Sequence, residues 1–294
     1  DIKRQRRGNP SVWNVPSEAL RGGDFSSLAA AQQPKDPTTG QLFPGGAIPA
    51  SRVSPNARRL VGNYPKPNFS GPGGNYAFEY TYPMDVTEYL IKLDYILNEQ
   101  HQFSYNRVHD DYWSLENLTN LITYNRKIPG TNQSWKWTFV ANPTTVNTFQ
   151  FSLPGHHIYQ GEHAANRLFI TDYTRQGQGV TYPMLFGRST AIPSISITGY
   201  TGLGATASVW NNSNRIPFFK NDFSKVIGVH TLKLGIFAQR NRKNQDNQPA
   251  VNGSFSFAPG HALHSGNALA DALLGNFSSY TEADDGREGW FRFN

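Results

Sequence analysis

Three stretches of this chain alternate apolar and polar residues with a period of two, and each is answered by a second stretch after a few turn-forming residues. From Glu88 to Leu97, the residues Tyr89, Ile91, Leu93, Tyr95 and Leu97 share one face; Asn98-Glu99-Gln100-His101 turns the chain, and Gln102 to Asp110 returns with Phe103 and Tyr105. Trp135, Trp137, Phe139 and Ala141 mark a second outgoing strand, turned at Asn142-Pro143-Thr144, with Thr145 to Leu153 carrying Phe149 and Phe151 back. The third pair runs from about Phe218 to Val226, turns at Gly228 and returns from His230 to Arg240, with Leu232, Leu234, Ile236 and Ala238 on one face. A short strand near Ser254–Phe257 and a closing pair, about Phe277–Ala283 and Arg287–Phe293, follow. Asn267 to Leu274 reads as the one good helical turn, stopped by Gly275.

The connections between these hairpins are of a different kind. Asp111–Ser134 and Pro154–Pro217 are long, whereas a compact sandwich keeps most connections short. Short turns alternating with long loops are what an outer-membrane barrel requires. Charged residues make up 16% of the chain, below the roughly 25% usual for soluble domains, and aromatics reach 13%. There is no run of about 18 apolar residues to form a spanning helix, but a spanning strand needs only alternation. Trp135, Trp137, Tyr89 and Tyr95, placed near strand ends, suit an interfacial aromatic girdle. The expectation is an all-β chain: an antiparallel meander of about 9–11 strands with long loops, forming part of a transmembrane-type β-barrel or an open sheet that self-assembles. The expected organisation over 1–294 is a Pro/Gly-rich ordered loop at 15–76, two hairpins at 88–153, a long loop at 154–216 and further strands at 217–294.

The first loop carries the most specific motifs. Val15-Pro16-Ser17 leads into Arg21-Gly22-Gly23-Asp24-Phe25-Ser26, then Asp36-Pro37-Thr38-Thr39-Gly40, Phe43-Pro44-Gly45-Gly46, Ile48-Pro49-Ala50-Ser51-Arg52 and Tyr64-Pro65-Lys66-Pro67-Asn68. This stretch resembles a signature of the Oar-like TonB-dependent receptors of bacterial outer membranes. Three later blocks are similar to that family in the same order: Glu88–Asp94 with Gln102–Tyr105, Gly228–Gly235, and Gly266–Gly275 followed by Ser278-Ser279-Tyr280. The resemblance implies a fragment of a larger receptor, whose barrel has about 22 strands. No plug and no TonB-binding box is visible in the sequence, so the family's transport residues have no positions here to which they carry over. The chain begins at Asp1 with no leader, and so reads as processed, truncated or part of something larger.

Catalytic chemistry finds little support. Zero Cys removes disulfides, thiolate metal sites and thiol nucleophiles together. Gly187-Arg188-Ser189-Thr190-Ala191 lacks the second Gly of a nucleophile elbow, and Gly202-Leu203-Gly204 has no phosphate-binding Lys beside it. The weak metal candidates are His156, His157 and His163, with Glu162 between them; Asp110-Asp111 and Asp284-Asp285 read as solvated acids. The net charge of +6 includes the run Lys3-Arg4-Gln5-Arg6-Arg7, read as a solvated basic strand end because no stacking-aromatic motif accompanies it. The sequence therefore points away from an enzyme, from a cofactor and from nucleic acid. As part of a receptor the chain would import a scarce nutrient, with outer-membrane lipid and the TonB system as partners. As a mature product it would be an extracellular structural subunit that polymerises with copies of itself through open sheet edges. A soluble glycan-binding β domain, with Trp and Tyr stacking on sugars, is the remaining alternative.

Overall fold

The computed structural model describes residues 1–116, 121, 123–162, 170, 172–204, 209–248 and 251–284. Among these residues fourteen strands are present: β1 (Ile2–Trp13), β2 (Tyr76–Ile96), β3 (His101–Glu116), β4 (Tyr124–Lys127), β5 (Gly130–Asn142), β6 (Thr145–Ser152), β7 (Gly155–Glu162), β8 (Ser194–Ile197), β9 (Val209–Arg215), β10 (Phe218–Ile227), β11 (His230–Gln239), β12 (Arg242–Gln248), β13 (Ser254–Phe257) and β14 (Ser279–Thr281). Four short α-helices accompany them in the described residues: α1 (Glu18–Arg21), α2 (Pro55–Gly62), α3 (Arg175–Gln178) and α4 (Ala268–Leu274). None is long and apolar enough to cross a membrane.

The large sheet has 11 strands, but its logic is simpler. β4 and β5, β6 and β7, β9 and β10, and β11 and β12 are successive halves of single long strands, separated only by residues 128–129, 153–154, 216–217 and 240–241. Neighbours pair antiparallel in both halves, so the chain runs up and down as one meander from β1 to β12. Three of the interruptions hold Pro129, Pro154 and Pro217. Proline has no N–H to give the ladder. Its carbonyl still accepts: His157 N donates to Pro129 O at 2.9 Å, Ile216 N to Pro154 O at 3.0 Å and Arg240 N to Pro217 O at 3.0 Å. Each strand is nicked on one side and held on the other.

The tight turns lie together at one end of the sheet, and side-chain chemistry fixes them. Asn98 Oδ1 accepts from the N–H groups of Gln100 (3.0 Å) and His101 (2.8 Å), and Asn142 Oδ1 accepts from Thr144 N at 3.0 Å. Gly228 supplies the positive φ, 60°, that the β10–β11 turn needs.

The opposite end carries a compact cap, and here the sequence-based expectation needs correction. Residues 154–216 are not one long loop, since β7, β8 and β9 lie within them. The stretch from 14 to 75, the described part of 170–204, and 251–284 fold together around one apolar core, with Phe25, Ile192, Leu269 and Leu273 fully buried. Its small sheet is β14-β13-β8, in which β13 and β8 are parallel. The expected partner of β14, Arg287–Phe293, lies outside the described residues; β14 pairs β13. The helical turn forms as expected: Asn267 Oδ1 caps the N–H groups of Leu269 (3.0 Å) and Ala270 (3.2 Å), and Gly275 ends α4 at φ 81°. The motifs of the first loop prove to be bonded to one another. Arg52 makes a bidentate pair with Asp36 (2.9 and 3.1 Å), whose Oδ1 also accepts from Thr38 N at 2.9 Å. Arg52 and these Thr38 bonds hold the Asp36 carboxyl below the usual carboxylate range.

Lys3 to Arg7 fill the first half of β1, largely exposed. Arg6 bonds both oxygens of Asp85 (2.6 and 3.2 Å) across the strand pair.

A second carboxylate organises the cap. Glu282 is buried and accepts from three consecutive backbone N–H groups, Leu185 (2.8 Å), Phe186 (2.9 Å) and Gly187 (3.2 Å), and from the Tyr280 hydroxyl at 2.5 Å. Burial alone would raise its pKa, but the hydrogen bonds outweigh it and the net shift is downward. With the folded pKa depressed, this stabilisation is complete above the unfolded value of about 4.3 and is lost as pH falls through the folded one. Glu282→Ala is expected to cost about 1–3 kcal/mol and to speed amide hydrogen exchange at residues 185–187 at neutral pH. Unchanged exchange there would show that the carboxylate does not organise the loop.

Candidate functional site

Antiparallel register decides which side chains share a face, because residues directly opposite one another point the same way. From Leu93 the row runs through Tyr105, Trp135, Phe151, Phe219 and Ala238 on successive strands. The next row joins Tyr95, Phe103, Trp137 and Phe149. Phe223 pairs with Leu234 on the same face. These rings form a connected sheath: Tyr105 and Trp135 have centroids 5.5 Å apart, Trp135 and Phe151 5.9 Å, Phe103 and Trp137 6.4 Å, and Phe149 and Phe219 6.5 Å. Trp137 Nε1 donates to His101 Nδ1 at 3.2 Å, which leaves the indole no unmet polar demand on this apolar surface. Trp135 and Trp137 thus stand in the body of β5, not at its end as expected from sequence.

Among the described residues nothing covers the sheath. Leu234 is 59% exposed and Ile236 65% exposed. A water-soluble domain of this composition would turn such a belt inward; here the apolar core sits in the cap instead.

The other face of the same strands is polar. Lys92 pairs with Asp94 at 3.0 Å and Lys220 with Asp222 at 2.6 Å. Gln150 Nε2 and Ser152 Oγ each donate to Ser134 Oγ at 3.0 Å. Phe218 and Phe237 break the pattern and pack tilted against each other, with centroids 5.5 Å apart, and Leu90 and Ile96 also lie on this face. One face therefore asks for an apolar neighbour and the other for water or a polar filling.

Above the proline row the apolar face becomes basic. Arg215 lies directly opposite Arg242, with Arg240 next on that side of the strand. All three are exposed, and among the described residues none is paired with a carboxylate. Like charges directly opposite one another repel, so the position favours an anion. A cleft of about 660 Å³ opens at this level, lined in part by His109, Thr131, His156, Arg215 and Arg242. No sequence motif marks this cluster; only the register brings its arginines together.

The expected metal ligands are not brought together. His156 and His157 are adjacent in β7 and so point to opposite faces. His156 Nε2 lies 2.8 Å from Asn214 Nδ2, and His157 Nε2 lies 2.5 Å from Asn211 Oδ1. His163 lies outside the described residues, as does the side chain of Glu162.

If the belt faces lipid, a charge at its centre is costly, by about 2–4 kcal/mol at the midplane of a barrel and less near its edges. Leu234→Asp is expected to lower the yield of protein inserted into lipid vesicles several-fold, whereas Lys233→Asp, on the polar face, is expected to leave it unchanged. Equal insertion of both variants would remove Leu234 from the lipid surface.

The comparisons agree with this geometry. Residues 2–294 match the family model described as outer membrane beta barrel domain. No curated protein and no solved structure matches the chain. An uncovered aromatic sheath, a polar reverse face and an antiparallel meander with tight turns at one end are what that family requires of a wall standing in lipid. The chain belongs to the outer membrane beta barrel domain family and is a protein of the bacterial outer membrane.

Proposed function

We propose that the chain is barrel wall and cap of an Oar-like TonB-dependent receptor, which imports a scarce nutrient rather than catalysing a reaction. The observation that carries this reading is the bonding among the motifs of the first loop. Arg21 donates to Tyr64 O at 2.5 Å, Asp24 Oδ1 accepts from Ser26 N at 2.9 Å, Phe25 is fully buried, and Arg52 clamps Asp36. The most specific of the residues that carry the family resemblance, those of the first loop, are among those that build the cap. Tight turns face the periplasm in outer-membrane barrels and long connections face outward, so the cap would roof the outer mouth. The polar face would line the lumen.

A second reading draws on the edges. Among the described residues β1 is paired only with β2, and β11 and β12 only with β10 and β9. Open edges accept further strands, which a fibre of identical subunits would supply. Intact mass and TonB binding separate the two readings. The receptor reading expects native protein from outer membranes to weigh well above 32.8 kDa and to be captured by the periplasmic domain of TonB. A mass near 32.8 kDa, no capture, and filaments in electron micrographs would overturn it in favour of the fibre.

A further inference from the structure

The cap contains a cluster of metal-binding groups that the functional reading above does not use. Between β13 and α4 the chain makes a tight turn, with His264 N donating to His261 O at 3.1 Å. This sets the two imidazoles side by side, ring centroids 5.6 Å apart, both facing Asp271 of α4. The Asp271 side chain is fully buried; those of His261 and His264 are 16% and 23% exposed. One imidazole nitrogen from each histidine and one oxygen of Asp271 lie within 4.8 Å of one another.

The carboxylate is oriented from behind. Its Oδ1 accepts from Ser265 N at 2.7 Å, which leaves Oδ2 to face the histidines. His264 Nδ1 is 2.5 Å from Oδ2 and His261 Nε2 is 3.5 Å from it. The His261 nitrogen is buried and has no hydrogen-bond partner. A buried imidazole nitrogen left unpaired beside a carboxylate is costly, and a cation between them removes that cost.

We propose that His261, His264 and Asp271 bind a divalent transition-metal ion of the zinc class. Two imidazoles and one carboxylate suit zinc and its neighbours, whereas magnesium and calcium prefer sets made of oxygen alone. Bonds of about 2.0–2.1 Å in a tetrahedron place ligand atoms roughly 3.4 Å apart. The separation between His261 and Asp271 already fits; His264 has to withdraw by roughly 1 Å, from hydrogen-bond to ligand spacing. The Ser265 N–H serves as the outer contact that aims the carboxylate. Bound metal would fasten the 258–266 turn to α4. It would also tie in the first loop, because Lys35 N donates to Ser265 O at 2.7 Å and Asn267 Nδ2 to Gln32 O at 3.0 Å.

The test is zinc chloride titrated into chelator-stripped protein in detergent micelles, read by calorimetry, by metal content per chain and by thermal unfolding. One ion per chain is expected, with a raised unfolding midpoint and no such response to magnesium or calcium. His261→Gln and His264→Gln replace part-exposed rings and leave the Ser265–Asp271 bond in place. Each is expected to weaken binding by at least the 10–100-fold that loss of a mere supporting contact costs. Asp271→Asn retains an acceptor for Ser265 and is expected to do the same. Absence of zinc binding at micromolar concentration, or undiminished binding in both histidine variants with unaltered circular dichroism, would overturn the assignment and leave imidazole–carboxylate hydrogen bonding as the whole role of the cluster.

Discussion

A backbone amide in hydrocarbon has no water to turn to, so every N–H and C=O must find its partner within the protein. The rest of this molecule follows from that demand. It requires ladders that run unbroken through the apolar belt, as they do from β2 to β11, and it allows interruption only beyond it. Pro129, Pro154 and Pro217 fall at that boundary, where the sheath of Trp and Phe gives way to Arg215, Arg240 and Arg242. Above it the strands continue as β4, β7, β9 and β12, held by the register established below rather than by any apolar pattern of their own.

That division explains what the sequence made legible. The hairpins at 88–110, 135–153 and 218–240 could be read because lipid on one side and a polar lumen on the other impose alternation. Their turns could be read because Asn98, Asn142 and Gly228 do specific work in them. β9, Val-Trp-Asn-Asn-Ser-Asn-Arg, and β12, Arg-Lys-Asn-Gln-Asp-Asn-Gln, carry no such pattern, so β9 reads as part of the 154–216 loop and β12 as no strand of its own. Their sequences are mainly polar, and their pairing is inherited. β1 escaped for a related reason, since its dense positive charge protects an edge and hides the strand.

The cap and its histidines were obscured by distance along the chain. Phe25, Ile192 and Leu273 meet in one core, yet nothing local in any of their segments names the other two. The adjacent pair His156-His157 reads as a cluster only because its members are neighbours in sequence. On a strand, adjacency separates side chains to opposite faces. His261 and His264, spaced three apart in a turn and followed by Asp271, had the better geometry, and that spacing was the signal available.

The three-part cap also sets the order in which the molecule can assemble. Ser54 N donates to Leu273 O at 2.8 Å, and Thr201 N donates to Asn14 O at 2.8 Å, so residues from both ends of the chain must be in place before the core closes. Contacts of such long sequence separation are slow to form from an open chain. The meander shortens the search, because each completed hairpin carries the next long connection back to the same end of the sheet. The long separations of the cap contacts predict an order from the wall to the roof, with the cap closing last on strands that serve as its template.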